Sequence, residues 1–416
     1  MATTEEILIA GAGIGGLTLA LALHSHGIRS RLIESATSLE EVGAGVNLQP
    51  SAMEVLSALS LSDELASSSV AIEELRFYGR HGQLIHAQPR GRAAGFNHPQ
   101  YSIHRAQLQA VLLAAVRSRL GQESIEIGQR CVNFSEENGS VAVVTVAADA
   151  VYKRQVCRAL IGCDGIRSTV RELLHPDDGP PRYSGVTMWR GVSPAPGFFN
   201  GKTMVLAGAL NIGKLVAYPV GHADGRGHQL INWVAEKREP LMSRYDWSAK
   251  GTVEELSWVV RDWGIDGLDV PGLIRTARQV LRYPMVDKDP LPFWGVGHVS
   301  LLGDAAHPMY PFGSNGACQA ILDAQMLANC IASFQPIEAA LRAYEANRLP
   351  ATREIVLLNR ESAPDAILDV VDERARAKPF EDIEAVMPLP ERLSLLARYA
   401  RASVAANSRA VEMPPS

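Results

Sequence analysis

Glu6-Ile7-Leu8-Ile9-Ala10-Gly11-Ala12-Gly13-Ile14-Gly15-Gly16-Leu17 sets the fold class of the chain. A short apolar, β-branched run reads as a buried strand of a parallel sheet. The glycines follow it at once, and Leu17, Ala20, Leu21 and Leu23 then recur at helical spacing. Gly27 ends that helix, and Arg31-Leu32-Ile33-Glu34 resumes a strand, which completes a βαβ unit. Within it Gly11, Gly13 and Gly16 form a G-x-G-x-x-G turn, with Gly15 beside them. Such a turn lets the backbone approach a pyrophosphate and aims helix N–H groups at it. Glu34 ends the following strand, where a carboxylate meets a ribose 2′-OH and disfavours a 2′-phosphate on the nucleotide held there. A dinucleotide is therefore the expected ligand.

The same residues resemble a targeting segment, because no charge occurs from Ile7 to Leu23. Glu5 and Glu6 stand where a signal peptide carries Lys or Arg, and four glycines weaken a membrane helix. The chain has 416 residues, 40 Lys plus Arg against 45 Asp plus Glu, and 47% hydrophobic residues. That length predicts two or three domains, and the mild acidity argues against nucleic acid or an anionic membrane as partner. Five cysteines without a CxxC suggest neither a disulfide framework nor a zinc ribbon, and point to a reducing, cytoplasmic setting.

Two further strands run into polar turns. One is Ala159-Leu160-Ile161-Gly162-Cys163-Asp164-Gly165. The other is Leu301-Leu302-Gly303-Asp304-Ala305-Ala306-His307-Pro308, continuing through Pro311-Phe312-Gly313-Ser314-Asn315-Gly316-Ala317-Cys318. Between them, about Thr187 to Val286 reads as an inserted antiparallel sheet, and after Gln335 the chain reads as helical. Val151-Tyr152-Lys153-Arg154-Gln155 is unlike its neighbours and is assigned no function. No Ser/His/Asp triad or metal-ligand cluster stands out, and His24, His26 and His307 read as helix-surface or turn histidines.

In their order and spacing the three motifs resemble the single-component FAD-dependent aromatic hydroxylases, which share the para-hydroxybenzoate hydroxylase fold. The likeness covers nearly everything up to about residue 360. Gln100-Tyr101-Ser102-Ile103-His104-Arg105, Thr187-Met188-Trp189-Arg190-Gly191-Val192, Leu215-Val216-Ala217-Tyr218-Pro219 and Tyr283-Pro284-Met285-Val286-Asp287 are similar to members acting on phenazine carboxylates.

The resemblance implies an α/β fold. Residues 1–75, 103–185 and 280–335 would form a discontinuous Rossmann-like FAD domain, 76–102 and 186–279 a substrate sheet, and 336–416 a helical region. It implies that Gly11, Gly13, Gly15 and Gly16 hold the FAD pyrophosphate and Glu34 the ribose, with Arg105 reaching the pyrophosphate from the other side. Asp304 would hold the ribityl chain, and Pro311, Gly313, Gly316 and Ala317 would lie against the isoalloxazine. Asp164 would serve both FAD and the nicotinamide. Many members have Gly-x-Asn where this chain has Gly316-Ala317-Cys318, which leaves the contact to backbone donors. NADPH or NADH and O2 would be co-substrates, and a flavin C4a-hydroperoxide would hydroxylate an aromatic or heteroaromatic ring, with or without decarboxylation. Trp189, Tyr218, Trp233 and Pro311 are candidate walls for that substrate, and Arg190 is a candidate partner for its carboxylate. Tyr218, Tyr310 and Arg190 are the catalytic candidates. The expected assembly is a monomer or homodimer without a membrane span or a metal. A halogenase is the alternative enzyme, but Trp258-Val259-Val260-Arg261-Asp262-Trp263 lacks the Trp-x-Trp-x-Ile-Pro of that class. The alternative from another class is a non-catalytic flavin-binding redox sensor.

Overall fold

The computed structural model describes residues 6–39, 44–240, 249–260, 263–361 and 365–397. A five-stranded parallel sheet is its frame, in the order Val299–Leu301, Ala159–Gly162, Ile7–Ala10, Ser30–Glu34 and Ile125–Ile127. The central strand Ile7–Ala10 is buried at every residue, which explains its unbroken apolar run. In register, Ala10 pairs with Gly162 and Ile33, and Gly162 pairs with Leu301. The three motif-bearing strands and the strand ending in Glu34 therefore finish along one edge of the sheet. In open α/β sheets ligands bind beyond this carboxyl edge. Helix Ile14–Ser25 covers the sheet and packs on helix Asn315–Ser333. Gly15 permits that approach, since a Cβ there would stand 2.7 Å from Leu302 and 3.3 Å from Ala320.

A seven-stranded sheet lies apart from this frame, in the order Val280–Asp287, Arg182–Pro196, His228–Arg238, Gly213–Pro219, Thr203–Ala209, Glu74–Tyr78 and Leu84–Pro89. It is not wholly antiparallel as expected, because Thr203–Ala209 runs parallel to Glu74–Tyr78, a strand the chain has already laid down before the insertion begins. The expected boundary after residue 75 falls inside Glu74–Tyr78, and Gln100–His104 pairs with Gly45–Leu48 and Val70–Ile72 in a small separate sheet. Tyr152–Cys157 pairs along Ser140–Ala147, where the Gln155 amide is buried without a partner at either atom. Helices Ile337–Glu361 and Ala366–Arg374 follow, and residues 398–416 lie outside the described part.

Period-two alternation divides the large sheet into two faces. Trp189, Ile231, Trp233, Ala235, Leu215 and Ala217 pack on one face against Leu256, Val259, Leu273 and Ile274 of short helical segments. Met188, Arg190, Asn232, Val234, Glu236, Lys214, Val216 and Tyr218 form the other face. The expectation that Trp189 and Trp233 wall the substrate pocket is therefore corrected. Both are at most 1% exposed on the face turned away from it. The Trp233 indole donates to Ser193 Oγ at 3.0 Å, and the Trp189 indole donates to Glu255 Oε2 at 2.8 Å. Trp233→Phe is accordingly expected to lower stability by about 1–2 kcal/mol, for one buried hydrogen bond and some ring area. Substrate KM should stay within about twofold, since hydrogen-bond and packing losses at a core site do not reach the pocket. Steady-state kinetics that gave a tenfold rise in KM would return Trp233 to the pocket wall.

Candidate active site

A cavity of about 940 Å³ opens along the carboxyl edge of the parallel sheet and extends to the outer face of the large sheet. Gly11, Gly13, Gly15, Glu34, Arg105, Asp164, Asp304, Pro311, Gly316 and Ala317 all line it, and from the large sheet so do Arg190 and Tyr218. The remaining two cofactor candidates, Gly16 and Gly313, stand just behind this surface. A Cβ on Gly16 would collide with the Gly11 carbonyl, and Gly313 is left-handed with φ +62° in the turn before helix Asn315–Ser333.

At the first motif, Gly11 has φ +111° and a Cβ there would run into the Cys163 carbonyl, so glycine is required for both conformation and space. Gly13 differs. Its backbone is extended, with φ −76° at the N-cap of helix Ile14–Ser25, and a Cβ on it would meet no protein atom within 4 Å. It faces the cavity, and the protein alone gives no reason for a glycine there. Glu34 accepts from Ala12 N–H at 2.8 Å through one oxygen and from Ala36 N–H at 2.8 Å through the other, which fixes its carboxylate at the cavity rim. Arg105 begins helix Arg105–Leu120, and Gln109 one turn on donates to the Ala12 carbonyl at 3.0 Å.

At the second motif, Asp164 Oδ2 accepts from Thr169 and Val170 N–H at 2.8 and 3.2 Å, while Oδ1 is buried with no partner. Burial raises its pKa even against those donors. At the third motif, Asp304 borders the cavity and Gly303 N–H donates to Asp323 Oδ2 at 3.1 Å. Gly313 and Ser314 both adopt left-handed φ, which turns the chain so that helix Asn315–Ser333 starts at the cavity wall. Cys318 does not face the cavity. Its thiol accepts from Gln49 N–H at 3.2 Å and donates to the Asn47 carbonyl at 3.5 Å, and burial pushes its pKa up to about 12.

Beyond this wall lies the outer face of the large sheet. Tyr218 donates to the Gly45 carbonyl at 2.8 Å, and Gly45 N–H donates to Asn232 Oδ1 at 2.6 Å, so the sheet is stitched to the strand Gly45–Leu48. Burial pushes the Tyr218 phenol up to about 12, which keeps it protonated as a donor at neutral pH. Arg190 Nε and Asn47 Oδ1 are buried without partners, and both residues line the cavity. Tyr310 does not line it. Its ring packs with Val186, Met188, Val234, Met285 and Phe312 beside the cavity, and burial with the charge of Asp287 pushes its phenol up to about 12.

FAD fits these residues. A glycine whose absent side chain points into open space suits a pyrophosphate. Asp164 Oδ1 and Asn47 Oδ1 are acceptors in want of donors, and two helix N-termini face the cavity.

A model of the FAD binding domain matches residues 4–188 and 288–358. The chain is 43% identical over 375 residues to a phenazine 1,6-dicarboxylic acid hydroxylase, PhzS, of Lysobacter antibioticus, covering 86% of this chain and 90% of that protein. It is 33% identical over 364 residues to a 3-amino-4-hydroxybenzoate 2-monooxygenase of Streptomyces cremeus, covering 84% of each. This chain is a member of the single-component FAD-dependent aromatic hydroxylases. The hydroxylase has the fold of Klebsiella pneumoniae HpxO, solved with FAD and uric acid, at a TM-score of 0.77, 22% identity and 97% coverage of both chains. It is a monooxygenase of this family, whose members take reducing equivalents from NAD(P)H. The halogenase and redox-sensor alternatives are not favoured by these relatives.

Five charged side chains of the hydroxylase were not anticipated from sequence. Lys214, Glu236 and Asp365 form a buried ion cluster at the edge of the pocket face, and Arg348 pairs with Asp323 behind the Gly303–His307 turn. His307 belongs to the second group. It is a turn histidine, but a buried one, 3% exposed with Nε2 2.5 Å from Asp323 Oδ2. Among the described residues no three His, Cys, Asp or Glu side chains are grouped to hold a metal, and no helix is long and apolar enough to cross a membrane.

Proposed function

We propose that this monooxygenase hydroxylates a carboxylated aromatic heterocycle of the phenazine type, held between the outer face of the large sheet and the Pro311–Ala317 segment. Arg190 carries the reading. It is a cation among Met188, Val234 and Val216, its Nε has no partner, and it lines the same cavity as Pro311 and Gly316. A guanidinium in such a place takes a carboxylate through charge-assisted hydrogen bonds. The naming of the Lysobacter relative for a phenazine dicarboxylic acid supports the same substrate class.

Bound FAD supplies the redox chemistry, accepting hydride from NAD(P)H and activating dioxygen. In the cofactor half, Gly11, Gly13 and Gly16 give the pyrophosphate its close approach, Glu34 takes the ribose, and Arg105 and Asp304 hold the remaining phosphate and ribityl oxygens. The N-terminus of helix Asn315–Ser333 stabilises negative charge placed before Gly316 and Ala317. In the substrate half, Arg190 orients the ring through its carboxylate, Pro311 supports one side of it, and Tyr218 acts as a protonated donor that locks the roof. Met188, Val234, Met285, Tyr310 and Phe312 exclude water beside the reacting ring. Tyr310, buried next to Asp287, serves in that apolar wall. We assign the enzyme to the cytoplasm as a monomer or homodimer, a setting supported by five free cysteines.

Arg190→Gln tests the reading. Losing a charge-assisted pair costs about 2 kcal/mol, so KM for phenazine-1-carboxylate should rise roughly 30-fold. KM for the uncharged phenazine-1-carboxamide should stay within about threefold, because no ion pair is lost with it. Equal losses for both compounds, or no turnover of either by the parent enzyme, would overturn the assignment.

A further inference from the structure

Three ionisable side chains sit on or against the pocket face of the large sheet where an apolar surface is expected. Lys214 is 2% exposed, Glu236 4% and Asp365 5%. The Lys214 ammonium lies 2.6 Å from Glu236 Oε2, pairs closely with Asp365, and stands 4.8 Å from the centroid of the Phe312 ring. Asp365 arrives from the start of helix Ala366–Arg374, far along the chain. Glu236 is held less firmly than Asp365. Its Oε2 is within ion-pair range of Lys214 yet makes no well-directed hydrogen bond.

Strand register places Glu236 beside Arg190. Met188 pairs with Glu236 and Arg190 with Val234, so the carboxylate and the guanidinium are diagonal neighbours on one face. Burial raises the Glu236 carboxyl, while Lys214 and, less strongly, Arg190 favour its charged form, and the charge of Arg190 also acts on the Tyr218 and Tyr283 phenols. The four formal charges of Arg190, Lys214, Glu236 and Asp365 cancel. In a buried site a carboxylate this close to Arg190 competes with any substrate carboxylate for the same guanidinium, unless another cation holds it. Lys214 is that cation, since its two acidic partners saturate it and leave it no charge to offer a ligand.

Resting on the carboxylate reading above, we propose that Lys214 is a specificity-determining positioning residue. By holding Glu236, with Asp365 as its second anchor, it keeps the Arg190 guanidinium free for one substrate carboxylate.

The test is binding to the FAD-loaded enzyme, read from flavin absorbance, with phenazine-1-carboxylate and phenazine-1-carboxamide as probes. The parent should prefer the carboxylate by about tenfold or more, as a charge-assisted pair requires. If it does not, the carboxylate reading itself falls and this proposal with it. Lys214→Met combined with Asp365→Asn removes one charge of each sign and leaves Glu236 with Arg190 alone. Carboxylate affinity should then fall roughly 30-fold, and carboxamide affinity should change by less than about threefold. Adding Glu236→Gln to that pair should restore carboxylate binding to within about threefold of the parent. Equal loss of both probes, or no rescue by Glu236→Gln, would mean that Lys214 is only structural. Glu236→Gln alone keeps Lys214 paired and serves if the double variant does not fold. Because Lys214 already holds Glu236, carboxylate binding should stay within about threefold of the parent, and a gain of about tenfold or more, which would mean that Glu236 competes despite Lys214, or a loss of about tenfold would overturn the proposal.

Discussion

Gly13→Val is expected to yield a folded protein without flavin. At this position the backbone is extended, so any residue adopts it, and a Cβ meets nothing within 4 Å. The apo fold therefore loses little. The added side chain instead occupies the space through which a pyrophosphate reaches the N–H groups at the start of helix Ile14–Ser25. FAD affinity should fall by at least about a hundredfold, or roughly 2.7 kcal/mol. Gly16→Ala provides the contrast, because its Cβ collides with the backbone carbonyl of Gly11 inside the protein. That variant should lose apo stability as well as flavin. Circular dichroism of the two apo proteins and fluorescence titration with FAD separate the effects. A Gly13→Val protein that retained stoichiometric flavin would remove the first motif from the cofactor site.

The second large effect concerns stability. Asp323 is fully buried, accepts from Arg348 Nε at 2.8 Å, contacts His307, and receives the Gly303 N–H. Arg348 also donates to Gln319 Oε1 at 2.5 Å, and Trp294 packs on the His307 ring. These contacts clamp the turn that carries Asp304 against helices Asn315–Ser333 and Ile337–Glu361. Arg348→Met removes the cation and leaves a buried carboxylate held only by His307 and the Gly303 N–H, at a cost of about 3–5 kcal/mol. Arg348→Met with Asp323→Asn should recover part of that loss, since no uncompensated charge then remains. Urea unfolding followed by flavin fluorescence reads both, and a loss below about 1 kcal/mol in the single variant would contradict the role given to the pair.

The same pair predicts an acid limit. Burial alone would raise the Asp323 carboxyl, but the charges and hydrogen bonds of His307 and Arg348 outweigh it and depress its pKa. Its folded value thus lies below the unfolded one, near 3.9. The stabilisation is present above that unfolded value and disappears as pH falls through the folded one. The parent should accordingly lose more stability than Arg348→Met as pH falls below about 4.

Much of the frame was legible because its signals are local. The Ile7–Ala10 run, the glycine turn, Glu34 and the two Asp-bearing turns each lie within a few residues, and they converge because their strands end on one edge. The faces of the large sheet were not legible. Trp189 and Arg190 are adjacent, and only the layer behind the sheet decides which of them points into the pocket. The ion cluster was hidden for a different reason. Lys214 reads as an ordinary strand residue until Asp365 is brought to it across the fold. Asp323 did leave a trace. It is the only acid of helix Asn315–Ser333 and stands among Ala320, Ile321, Ala324 and Leu327, and an acid in such an apolar stretch implies a buried partner.

Turnover of phenazine-1-carboxylate under isotopically labelled dioxygen, with NAD(P)H and analysis of the product by mass spectrometry, decides whether the enzyme hydroxylates carboxylated phenazines. The expected product is a hydroxylated phenazine that carries one labelled oxygen atom from dioxygen, with its formation strongly reduced in Arg190→Gln. Oxygen derived from water, or NAD(P)H oxidation that yields only hydrogen peroxide across a panel of carboxylated aromatics, would contradict it.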